Sequence, residues 1–146
     1  MEDRYCCRLV TDLILTRKNQ DNGNIEILLA LRKNTGYHDG EYELPGGHIE
    51  SGEDLMHAMI REAKEELLID IDENDLRIVH VMHDYTGDRV NFILTTENYK
   101  GKPQIGEKDK CERIGWFYIN DLPMNTMPKV KKVIEYINNG IFYSKR

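Results

Sequence analysis

Glu62, Glu65 and Glu66 stand at i, i+3 and i+4 of a stretch whose apolar residues recur with helical period. At about 100° per residue their side chains gather in an arc of about 100° on one edge of the apolar seam. Carboxylates at these spacings repel by roughly a few tenths of a kcal/mol when solvated and more when partly buried, so the arrangement wants raised pKa values or a cation. A hard divalent ion such as magnesium, which prefers oxygen ligands, removes the conflict. Taken alone, the helix is explained as well by a solvated surface on which Arg61 and Lys64 interleave with the acids. The segment ahead of it shifts the balance. Leu44-Pro45-Gly46-Gly47 delivers a Gly-Gly turn into the loop that leads to the acidic helix, and glycines there permit close backbone approach to a ligand.

The elements that must position these acids follow from patterning. Residues 53–69 carry Leu55, Met56, Met59, Ile60, Ala63 and Leu67 in an arc of about 140°, which marks the core seam of a helix. Ser51 with Asp54 three residues later resembles a capping box and places the helix start just after Gly52. Ahead of it, the β-rich runs 5–16 and 25–31 flank Asn19–Asn24 and read as a hairpin. A loop over 33–41 and a short segment Tyr42-Glu43-Leu44 follow. Residues 76–84, 90–96 and 114–119 read as strands. Met127-Pro128 opens a second helix with Val130, Val133, Ile134 and Ile137 at helical spacing, ended by Asn138-Asn139-Gly140. The order predicts an α/β domain with a mixed β-sheet sandwiched between α-helices, and with no repeat or linker, residues 1–146 are expected to form one domain.

The chain has 146 residues, 40% of them hydrophobic, enough for one core that buries roughly two-thirds of the unfolded surface. A formal charge of −6 argues against long nucleic acid as a partner, whereas a small polyphosphate stays compatible if bound metal inverts the local sign. No apolar run of about 18 residues and no signal-peptide pattern occurs, so neither a membrane nor export is expected. Cys6, Cys7 and Cys111 are odd in number, which fits a reducing, cytoplasmic setting. They read as two strand cysteines and one loop thiol, without the spacing of a zinc site.

Gly47, five residues, Glu53, seven residues, then Arg61-Glu62-Ala63-Lys64-Glu65-Glu66 resembles the Nudix box, G-x5-E-x7-R-E-U-x-E-E-x-G-U with U apolar. The one departure is Leu68 at the second glycine. Gly47–Glu53 as a whole, Glu107–Cys111, Trp116-Phe117 and Asp121-Leu122-Pro123 are similar to family members that act on nucleotides. The resemblance implies the Nudix fold and a hydrolase of phosphoanhydride bonds. It implies Mg2+, with Mn2+ as an alternative, on Glu62, Glu65, Glu66 and the Gly46 carbonyl, an ion pair between Arg61 and Glu53, and a general base at Glu62 or Glu66. Glu107 lies where relatives often add an acidic ligand or base, with an exposed loop acid as the equal alternative. Water activated by glutamate and metal would attack phosphorus. A left-handed cap at Leu68 would cost about 1 kcal/mol or more, so the helix exit is expected to change shape or run on toward Asp70.

The substrate must be read outside the box. Tyr37, His38, His83, Tyr85 and Phe92 are aromatic residues near predicted strand ends and loops, any of which could stack on a base, although each is individually more often a core or rim residue. Asn125 and Thr126 lie before the second helix, where relatives that sanitise oxidised purine nucleotides place Asn or Asp; Lys129 follows where an acid would be helpful. The leading reading is a nucleoside triphosphate pyrophosphohydrolase releasing nucleoside monophosphate and pyrophosphate. Cleavage of a nucleoside diphosphate sugar or dinucleotide is the alternative, and a nucleotide sensor without turnover is the reading outside enzymology. The family resemblance and the apolar tail Ile141-Phe142-Tyr143 leave room for a homodimer.

Overall fold

The computed structural model describes residues 3–146. Its elements run β1 (Arg8–Lys18), β2 (Ile25–Arg32), β3 (Tyr42–Glu43), β4 (Gly46–His48), α1 (Leu55–Leu67), a 3-10 turn (Glu73–Asp75), β5 (Arg77–Asp84), β6 (Arg89–Thr96), β7 (Cys111–Tyr118), α2 (Pro128–Asn138) and β8 (Tyr143–Lys145). The sheet order is β3-β2-β1-β6-β5-β8, with β4 on β1 and β7 on β2. β1 runs parallel to β6 along its length and β5 parallel to β8, while the other pairs are antiparallel.

Both faces of β1 are covered, which explains its unbroken apolar run. Leu13 and Leu15, with Leu28 and Leu94, pack against Met59, Ala63 and Leu67 of α1. Ile14, with Ile27, Leu29 and Ile93, packs against Met127, Val130, Val133 and Ile134 of α2. This is the period-2 alternation of a strand serving two layers. Burying a Leu, Met or Ile contributes about 1.5–3 kcal/mol each. Met59 and Leu67 alone therefore outweigh the carboxylate repulsion of a few tenths of a kcal/mol per pair on the neighbouring edge of α1.

One edge of β1 carries β6, and the other is divided between β2 and β4, which opens the cleft. β2 pairs with β1 only at Thr16, Arg17 and Lys18, whereas β4 takes the edge at Val10, Thr11 and Asp12. The β2–β3–β7 half of the sheet parts from the β1–β6–β5 half at that point.

Four local expectations need correction. Asp54 is itself the N-cap of α1, accepting from the His57 N–H at 2.9 Å. Ser51 instead belongs to a turn closed by Glu53 N–H donating to Glu50 C=O, and the Glu53 carboxylate accepts from Glu50 N–H at 2.8 Å. Leu68 adopts the left-handed cap the sequence disfavours, at φ 57° and ψ 34°. What holds it is the loop 100–106: Asp70 and Lys100 exchange backbone hydrogen bonds, and Gln104 N–H and Gly106 N–H donate to Leu67 C=O and Glu66 C=O. Ile69 and Ile71 are buried just beyond, and their burial exceeds the roughly 1 kcal/mol of backbone strain. The tail is not free, because β8 pairs with β5 at Val81–Tyr143, although Ile141, Phe142 and Tyr143 keep exposed side chains. Finally, Cys6 and Cys7 precede β1 and Cys111 opens β7, the reverse of the strand and loop assignment; all three are free thiols.

Candidate active site

Gly46 and Gly47 sit on β4 directly beneath α1. A Cβ at Gly47 would run into the Glu62 carboxylate, and one at Gly46 would overlap the Thr11 carbonyl and Asp12. Only glycine allows β4 to lie this close to both the helix acids and β1. Gly46 N–H donates to Glu66 Oε2 at 2.8 Å, which aims that carboxylate at the turn.

Arg61 organises the other acids. Its Nη2 and Nε donate to the two oxygens of Glu53 at 2.7 and 3.0 Å, its Nη1 donates to Glu62 Oε1 at 3.0 Å and Glu65 Oε2 at 3.3 Å, and Nη2 also reaches His48 C=O at 3.1 Å. Paired planar groups of this kind combine geometry with charge. Hydrogen bonds from Arg61, then from the Glu50 N–H, hold the Glu53 carboxyl down at about 2.

The opposite shift marks the inner wall. Burial, then the charges of Glu62, Glu107 and Asp12, push Glu66 up to about 9 against the lowering effect of the Gly46 N–H. Glu62 is also raised, again chiefly by burial, with Arg61 restraining the shift. Two neighbouring carboxyls that resist ionisation form an all-oxygen donor set suited to a hard divalent cation. Glu65 is more exposed at the cleft mouth. Glu107 lines the cleft from the loop that laces α1, its carboxylate 3.7 Å from Lys110 Nζ. The residues fit the divalent cation that Nudix hydrolases generally use. A tighter His-and-acid group, Asp54, His57 and Glu73, lies exposed at the start of α1, where Asp54 binds His57 as part of the helix cap.

These acids form one wall of a cleft of about 770 Å³, a size suited to a small-molecule ligand. Of the aromatic and polar residues expected to meet substrate, Tyr37 lines it. Arg32 lies over the Tyr37 ring at 5.3 Å, and His38 packs edge-on against that ring at 4.4 Å while pairing with Glu41. His38, His83, Tyr85, Phe92, Asn125 and Thr126 do not line the cleft. Phe92 packs into the α1-side core, because its parity on β6 directs it away from the cleft. Tyr85 is exposed beyond the end of β5, near His83. Asn125 donates to Gly40 C=O at 3.0 Å and so ties the loop 33–41 to the start of α2.

Asp12, Glu43, Asn91 and Lys129, on the cleft floor, were missed as site residues. Asp12 and Asn91 interrupt apolar runs on strands at positions whose neighbours two residues on, Ile14 and Ile93, are core. That interruption of a strand's buried face was the available signal.

The NUDIX domain model matches residues 8–137 of this chain. The chain belongs to the NUDIX family. An 8-oxo-dGTP diphosphatase of Proteus vulgaris is 32% identical over 91 residues, which cover 61% of this chain and 78% of that protein. The MutT NUDIX hydrolase of Burkholderia pseudomallei superposes with a TM-score of 0.75 at 26% identity, covering 88% of this chain and 95% of its own. The MutT protein of Methanosarcina mazei superposes with a TM-score of 0.73, 94% and 97% of the two chains being covered at 15% identity, a likeness of fold alone. This Nudix protein is thus a hydrolase acting on phosphorus-containing anhydrides, of the class that takes small nucleotide substrates. Among the described residues no helix is long and apolar enough to cross a membrane.

Proposed function

We propose that this Nudix hydrolase is a pyrophosphohydrolase of nucleoside triphosphates, oxidised purine forms included, releasing nucleoside monophosphate and pyrophosphate. The observation that carries the reading is the convergence of Glu62, Glu66 and Glu107 with the Gly46-Gly47 turn on one wall of a cleft whose far side is polar and aromatic. The name of the Proteus vulgaris relative supports the choice of substrate.

In this reading Glu62, Glu65, Glu66 and the Gly46 carbonyl hold Mg2+, and Glu107 completes the acidic wall. A cation bound there supplies charge neutralisation at the phosphate oxygens. The protein's own groups do the rest. Arg61, clamped by Glu53, fixes Glu62 and Glu65 in orientation. Glu62 or Glu66 takes the proton of the attacking water, and pH–rate profiles of Glu62→Gln and Glu66→Gln separate the two. Tyr37 and Arg32 form the rim against which the nucleoside rests.

A panel of dNTPs, 8-oxo-dGTP, dinucleotides and nucleoside diphosphate sugars, with products separated by ion exchange, tests the reading. Monophosphate and pyrophosphate from triphosphates support it. Selective turnover of sugar or dinucleotide substrates would replace it with the alternative.

A further inference from the structure

Lys129 is placed where a cation is doubly disfavoured, in the first turn of α2 and with a side chain only 9% exposed. A positive charge at a helix N-terminus opposes the macrodipole, and a buried ammonium loses hydration. Its Nζ lies 3.2 Å from Glu43 Oε1 and 3.9 Å from Asp12 Oδ2. Burial works against its charge, yet Asp12 and Glu43 outweigh burial and hold its pKa above the ordinary lysine value. The pair with Glu43 leaves ammonium protons over, and Lys129 lines the cleft.

Asn91 stands beside it. Its Nδ2 donates to Asp12 Oδ2 at 2.8 Å, and because a carboxylate can only accept, this bond fixes which end of the amide faces Asp12. The other end, Oδ1, is buried without any partner, on a residue with no exposed surface that also lines the cleft. A buried acceptor left unmatched is costly and rare. Asp12 Oδ2 thus joins, on the cleft floor, a residue that offers a donor, the Lys129 ammonium at 3.9 Å, and one that offers an acceptor, Asn91, whose Nδ2 it binds at 2.8 Å.

Resting on the hydrolase reading above, we propose that Lys129 and Asn91 determine base specificity by reading a lactam edge, the exocyclic oxygen and adjacent ring N–H of a guanine- or uracil-type base. The ammonium donates to the oxygen and Asn91 Oδ1 accepts from the ring N–H. Adenine and cytosine in the same pose present an exocyclic donor to the ammonium and a bare ring nitrogen to the amide oxygen, and both contacts fail. Sites built to hydrogen-bond a substrate reject analogues whose pattern is wrong because buried groups are left unpaired.

The test is equilibrium binding of GMP, UMP, AMP and CMP, which needs no turnover, accompanied by the kcat/KM ratio of dGTP to dATP. The wild type is expected to bind GMP and UMP about tenfold or more tighter than AMP and CMP. Lys129→Met combined with Glu43→Gln, which removes both members of the buried ion pair, should bring that ratio to within about twofold. Asn91→Ser, which keeps a small polar group beside Asp12 but withdraws the acceptor, should lower the ratio independently of the first variant. Equal binding of all four monophosphates by the wild type, or an unchanged ratio in the folded variants, overturns the proposal. Triphosphate turnover without base preference overturns it while leaving the hydrolase reading intact. Base-selective binding without turnover supports it and overturns the other.

Discussion

Arg61 and Glu53 meet through two parallel hydrogen bonds, Nη2 to Oε1 at 2.7 Å and Nε to Oε2 at 3.0 Å. The same guanidinium reaches Glu62 and Glu65, so the pair is the brace from which two of the site's acids are set. Arg61→Lys loses the fork and is expected to lower kcat/KM by about 10- to 100-fold, the range seen when groups orienting metal ligands are removed. Steady-state kinetics at saturating magnesium, with circular dichroism to confirm the fold, checks this.

The brace also has an acid limit. The Glu53 pKa falls from its ordinary 4.5 to about 2 in the folded state. A depressed carboxyl contributes stability that is present above 4.5 and lost as pH falls toward 2. The wild type should therefore be more resistant to urea than Glu53→Gln at pH 7, and the two midpoints should converge as the pH is lowered from 4.5 toward 2.

Glu66 has the opposite sign. With a folded-state pKa of about 9 it keeps its proton where the unfolded chain has lost it. Its contribution is present below 4.5 and lost as pH rises toward 9, so the metal-free protein should weaken across that interval. A cation needs the ionised form, so magnesium should bind tighter as pH rises and displace about one proton at pH 7. Calorimetric titration in buffers of different ionisation enthalpy measures that proton, and Glu66→Gln should abolish its release.

Gly47→Ala tests the close approach of β4 to α1. The added Cβ has no room beside the Glu62 carboxylate, and a displacement of about 1 Å in a reacting geometry costs about 100-fold in rate. Activity should fall by that order while the thermal midpoint moves little, because the displaced group is a cleft side chain and not core.

Leu68 offers a stability gain remote from the chemistry. It holds φ 57° with an exposed side chain, so Leu68→Gly should relieve about 0.5–1 kcal/mol of strain with little apolar burial lost. A higher urea midpoint at unchanged slope would show it.

The acids of α1 were legible because they combine a helical period with fixed spacing from Gly47, a pattern written in consecutive sequence. Both helices and the long strands followed from local periodicity. Asp12, Glu43, Asn91 and Lys129 were not, because four separate elements bring them together and each alone is an ordinary polar residue. Leu68 misled for a related reason: its strained cap is held by loop 100–106, more than thirty positions downstream. β8 was hidden because a three-residue edge strand has no periodicity to read. Phe92 and Tyr85 are aromatics near strand ends in the sequence, but the parity of β6 and the position of the β5–β6 turn put them elsewhere.

The most direct measurement is hydrolysis of 8-oxo-dGTP and dGTP by wild type and Glu65→Gln, with and without magnesium, products resolved by ion exchange. Monophosphate and pyrophosphate should form only with magnesium, and Glu65→Gln should lose most of the activity while keeping the wild-type circular dichroism spectrum. Magnesium-independent turnover, or a Glu65→Gln variant as active as the wild type, would contradict the assignment of the glutamate cluster as the seat of catalysis.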